Sequence, residues 1–162
     1  MRFFWWISMT IFFSCTNINH RKFDPLTCSS IDTVRYNSII RNHWPSRKPA
    51  SVLEAVKLLD SIADNNFRCG IVRFSEEDLH FSLGLKIRND WIRHGDISLK
   101  NQLFSKLKLS HIDESSGFIL VVYKTVLRNM SDSLFAEWSN HPRLNKEELL
   151  KIKGQMASFP FH

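Results

Sequence analysis

The side chains best suited to chemistry in this sequence are three cysteines, seven histidines and a cluster of polar residues around Arg88. A hydrolytic zinc site needs ligands on one face of an element, as in HExxH, and a structural one needs closely spaced Cys pairs. The chain has neither HExxH nor CxxC, and His94-Gly95-Asp96 and His111-Ile112-Asp113 are only short H-x-D pairs. No metal or other cofactor is therefore expected. There is also no G-x-S-x-G nucleophile turn and no glycine loop to cradle a nucleotide, and the serines mostly sit where helices would start. No catalytic residue stands out, and the reading is non-enzymatic.

What remains is a polar patch at Arg88, Asn89, Trp91, Asp113 and Ser116. Arg88 and Asn89 fall late in a helical stretch beside Trp91, where a guanidinium can fork onto a carboxylate and an amide can satisfy loop carbonyls. Asp113 or Glu114, at the start of the next long apolar stretch, is the natural partner. The expectation is that Arg88 pairs with Asp113 and locks the 94–113 connection. The alternative reading makes the patch a ligand or enzyme site in which Arg88, His94, His111 and Asp113 converge in one pocket.

These residues must be positioned by helices. Val52, Leu53, Val56, Leu59, Ile62 and Ala63 recur at three and four behind Pro49, which fits a first-turn proline. Phe67 to Phe74 reads as a short extended connection. Ser75-Glu76-Glu77-Asp78 is a capping signal for a helix whose Leu79, Leu83, Ile87 and Trp91 step by four, flanked by Phe81 and Leu85, and which ends at His94-Gly95. Ser98 is read as the cap of a helix buried through Leu99, Leu103 and Leu107. Phe118 to Leu127 is the most apolar segment, a central helix with a strand as the alternative because of its three Val. Ser131 to Trp138 and Asn145 to Met156 complete an all-α fold, a compact bundle of about six helices over residues 49–162.

The chain opens with Arg2, then eleven uncharged and mostly apolar residues from Phe3 to Phe13, then Ser14-Cys15. Crossing a membrane takes about 20 apolar residues, so this run is too short to span, and its layout is that of a secretory leader over residues 1–14. Ser14-Cys15 after an apolar run resembles a bacterial lipoprotein signal. That resemblance implies cleavage before Cys15, lipidation of its thiol and a place in the bacterial cell envelope, with the membrane as partner through the anchor. Cys28 and Cys69 then remain, either closing a disulfide in an oxidising compartment or staying as two thiols.

Residues 15–48 mix Asn, Ser and Thr with isolated apolar residues and read as a tether, with a short helix near 31–41 and Trp44 docking on the domain. The charge, +6 overall, is concentrated there: six basic residues against two acidic in 15–48, but fifteen against fourteen in 49–162. A nucleic-acid binder needs its basic stripe on the folded surface, so no nucleic-acid partner is expected. The basic tether suits either an anionic membrane surface or a plain solvated spacer.

Pro49 to Leu59, Gly84 to Asn89 leading to Trp91, Leu103-Phe104, and His111 to Ser116 together resemble a small bacterial helical domain of unknown function, seen in secreted and toxin-associated contexts. The resemblance covers residues 45–129 and implies a helical fold. The expectation is a lipid-anchored envelope protein that binds another envelope protein as an accessory or immunity-like factor, around an exposed apolar patch centred on Trp138 or Trp91.

Overall fold

Most helices here start where a short polar side chain can accept a first-turn amide. Asp32 accepts from the Arg35 amide, Ser51 from Glu54, Asp64 from Phe67, Ser75 from Asp78, Asp96 from Ser98, and Asn145 from Glu147 and Glu148. The computed structural model, which describes residues 23–128 and 133–158, sets out the helices that follow from these caps. They are α1 (Thr33–Asn42), α2 (Val52–Ile62), α3 (Asn65–Arg73), α4 (76–93), α5 (97–106), α6 (Ile112–Leu127), α7 (Ser133–Ser139) and α8 (Lys146–Ala157). Among the described residues there is no strand. The fold is all-α, and the strand alternative for 118–127 is corrected: this segment is the buried axis of the molecule, with every residue from Phe118 to Leu127 inside.

α6 packs against α2, α3, α4 and α7, and α8 closes over α2. Buried on α4 are Leu79, Leu83, Ile87 and Trp91, the expected stripe, whereas Phe81 and Leu85 turn outward and are exposed. Two π-helical stretches in α4, His80–Gly84 and Ile87–Arg93, and one in α5, Asn101–Lys106, widen the turn. The start of α5 is corrected by one cap: Asp96, not Ser98, is its N-cap, and the Ser98 amide and hydroxyl hold the Asp96 carboxyl below its usual range. At its other end Lys108 takes the left-handed backbone, φ 66°, where the chain turns back toward α6.

The segment 67–74, expected as extended, is the helix α3. Asp64 caps it, and Phe67, Cys69, Gly70, Ile71 and Val72 form its inner face. Gly70 makes the packing possible, because a Cβ there would lie 2.6 Å from the Tyr36 ring of α1. Tyr36 is wedged between Phe67 and Phe74, each ring centroid 5.0 Å away, and burial pushes its phenol up with Ser82 opposing in part.

The expected short helix near 31–41 is α1 and Trp44 does dock on the domain, but the tether reading is corrected from residue 23 onward, because this segment is part of the core. Phe23, Cys28, Tyr36, Ile39 and Ile40 are buried, and Cys28 is bonded to Cys69 of α3. Asp32 and Asn66 exchange two hydrogen bonds of 2.8 Å, and Arg35 reaches Asp64. The leader 1–14, Cys15 and residues 16–22 lie outside the described residues, as does the Ser131 start expected for α7. No described helix is long and apolar enough to cross a membrane.

Deeper in, Asp60 of α2 accepts from Tyr123 of α6 and Arg68 of α3, both at 3.1 Å. Burial first, and the Asp60 carboxylate second, push the Tyr123 phenol well above its ordinary range.

Candidate functional site

Arg88 is the hinge between core and surface at the junction of α4 and α6. Its Nε lies 3.0 Å from Asp113 Oδ1, so the expected pair is formed, between an Arg side chain 7% exposed and an Asp side chain 61% exposed. Its Nη2 donates to the His80 carbonyl at 3.3 Å, and Nη1 sits 3.2 and 3.1 Å from the two ring nitrogens of His80. Ser116 Oγ lies 3.5 Å from Nη1 and donates to the Asp113 carbonyl. A Cβ at Gly84 would press on the Leu79 carbonyl at 3.1 Å, while Arg88 Nη1, at 3.7 Å, would be an ordinary neighbour. The π turns bring His80, Gly84 and Arg88 onto one line.

Above this scaffold a groove opens between α4, α6 and α7. It has a narrow apolar end of about 110 Å³ against Leu79, Leu120 and Val121 and a wide mouth of about 480 Å³. His80, Gly117 and Trp138 line both parts. Gly117 forms the floor, and a Cβ there would find Trp138 at 3.9 Å, an ordinary contact. Trp138 is half-buried and its ring stands 5.3 Å from Phe118. Carboxylates of Asp113, Glu114 and Glu137 line the mouth, with Glu114 accepting the Ser110 amide, whereas Glu76 and Lys124 both line the narrow end.

The remaining expected residues are dispersed. Trp91 is fully buried and stacks on Trp44 at 4.6 Å, so it cannot centre an exposed patch, whereas Trp138 is half-buried at the groove. Asn89 accepts from Arg93 along its own helix and does not join Arg88. His94 and His111 are exposed at the end of α4 and the start of α6 and do not line the groove, which corrects the four-residue pocket. The histidines at the groove are His80 and His141. Neither belongs to an apolar stripe or a recognised spacing, so nothing in the sequence pattern singled them out. Among the described residues no three His, Cys, Asp or Glu come together to hold a metal ion. Cys28 and Cys69, left open by the sequence, are joined.

Residues 48–127 match the family described as a domain of unknown function, DUF6794. The matched stretch runs from just before α2 to the end of α6, so it includes Arg88, Asp113 and Gly117 but not Trp138. No curated protein and no solved structure matches the chain.

Proposed function

We propose that this protein is a lipid-anchored component of a bacterial cell envelope whose helical domain binds a segment of another envelope protein in the groove between α4, α6 and α7. The observation that carries the binding reading is the groove itself. It offers an apolar end, a half-buried Trp138 for an anchor side chain to cover, and a rim of carboxylates. That chemistry fits an apolar residue flanked by Lys or Arg. Arg88 is spent on holding the groove wall, which argues against a catalytic role for it. Support for the anchor comes from the Ser14-Cys15 ending of the leader run, and the Cys28 to Cys69 bridge fits an oxidising compartment.

Two measurements test the two halves. Intact mass and membrane fractionation of the chain made in a bacterium should find an acylated protein beginning at Cys15, lost in Cys15→Ala; an unmodified chain beginning at Met1 overturns the anchor. For the groove, a photo-crosslinking residue placed at Glu137 should trap one partner, and Gly117→Leu, which fills the floor, should abolish that product. A product unchanged by Gly117→Leu, in a variant that melts like the parent, overturns the groove as the binding site.

A further inference from the structure

A second cleft, away from the groove, is built from cations. Arg47 from the segment before α2, Lys57 of α2, Lys106 of α5 and Lys151 of α8 line a space of about 590 Å³. Like charges from four separate segments repel one another, and nothing in the folding of α2, α5 and α8 requires them to share a cleft. Two carboxylates also line it, and both are engaged within the protein. Glu54 pairs with Arg47 and accepts the Ala50 amide at 2.8 Å. Glu148, only 8% exposed, accepts from Gln102 Nε2 at 2.9 Å. Lys106 and Lys151 form no ion pair with any described carboxylate.

The cleft is also organised from below. Gln102 Oε1 accepts the Val52 amide at 2.8 Å while its Nε2 holds Glu148, so one side chain ties the first turn of α2 to α8. Gln102 and Lys106 are both carried by the π-helical stretch of α5, a widened turn of the kind that recurs at functional sites. Leu53 and Leu58 give one wall an aliphatic surface. The volume falls in the range of small-ligand sites, about 300 to 1,000 Å³.

We propose that this cleft binds a phosphate group, carried either by an anionic lipid headgroup or by a soluble phosphorylated molecule. Lysines act as point charges toward phosphate, and the aliphatic wall suits the glycerol or alkyl portion attached to it. A nucleic acid would need a basic stripe running beyond one cleft, and residues 23–162 carry only a modest excess, 19 basic against 16 acidic.

The test uses the full-length chain carrying Cys15→Ala, so that no acyl anchor governs flotation, held in a zwitterionic detergent or added to vesicles. Charge reversal at the cleft, Lys106→Glu with Lys151→Glu, is compared with the same reversal on the exposed face of α8, Lys146→Glu with Lys153→Glu. All four lysines are exposed, so each variant should keep the parental melting temperature. With glycerol phosphate as probe, saturable amide shifts at Ser51, Ser98 and Gln102 that weaken about tenfold only in the cleft variant support a soluble ligand. Absent such shifts, flotation on vesicles of about one third phosphatidylglycerol that falls about tenfold in the cleft variant alone supports a lipid headgroup. No shifts together with no loss of flotation, or equal losses in the cleft and α8 variants, overturn the proposal.

Discussion

Arg88 has both a surface role and a buried one, and they differ in energetic weight. Its ion pair faces water on the Asp113 side, so screening keeps that contact to about 0.5 kcal/mol. The buried part matters more, since truncation removes the aliphatic stem from the α4 and α6 packing and takes the Arg88 donor from the His80 carbonyl. Arg88→Ala should therefore cost about 2 kcal/mol and Asp113→Ala about 0.5 kcal/mol in chemical denaturation. Equal losses for the two would mean that the ion pair, and not the buried scaffold, holds this corner. The pairing was legible because both residues sit at element ends flanking one connection, where few opposite charges compete. Trp91 was misread for the opposite reason. Its place on the α4 stripe and the docking of Trp44 were both legible, but sequence pattern does not reveal that Trp44 docks on Trp91 itself.

At the level of elements, caps and apolar stripes carried most of the information. Ser75 and Asn145 announce α4 and α8, whereas α2 begins at the Ser51 cap and leaves Pro49 outside its first turn; a four-residue step of Leu, Leu, Ile and Trp gives the inner face of α4 even though its turns are partly π-helical. Two features stayed hidden. The π stretches have no marker in the local pattern of apolar and polar residues. α3 was hidden because Phe67 to Phe74 is short, β-branched in part and interrupted by Gly70, and its helicity depends on the Asp64 cap and on contact with α1. That dependence can be measured by comparing two helix-interior glycines. At Gly70 an added methyl would meet Tyr36 ring carbons at 2.6 and 2.7 Å, and that ring is fixed between Phe67 and Phe74. At Gly154 in α8 nothing lies within 4 Å. Urea midpoints should report a loss of about 2 kcal/mol for Gly70→Ala from overpacking, and a gain of about 0.5 to 1 kcal/mol for Gly154→Ala from helix propensity alone. A Gly70→Ala protein as stable as the parent would mean that α1 can shift on α3, and that the close approach is not what selects glycine.

For the whole molecule, the sequence divides the chain at residue 48, whereas packing places residues 23–48 inside the domain. This segment contributes a modest apolar surface, and what keeps it in register is cross-linking: the Cys28 to Cys69 bridge spans 41 residues, reinforced by the paired Asp32 and Asn66 bonds. Closing a loop of that length removes chain entropy from the unfolded state worth about 4 kcal/mol, within a usual range of about 2 to 5 kcal/mol for native bridges. Such a margin is a large part of the stability of an ordinary domain, about 5 to 15 kcal/mol. The chain should therefore behave as two proteins according to redox environment. Denatured with urea in the absence of reductant, it should unfold at a clearly higher midpoint than in its presence, and a Cys28→Ser, Cys69→Ser variant should match the reduced protein and ignore reductant altogether. If the parent proves indifferent to reductant and alkylation finds two free thiols, then α1 is held by packing alone and the bridge no longer supports placement in an oxidising compartment. If the midpoints separate as expected, the domain reaches full stability only where disulfides persist, as an exported protein would require.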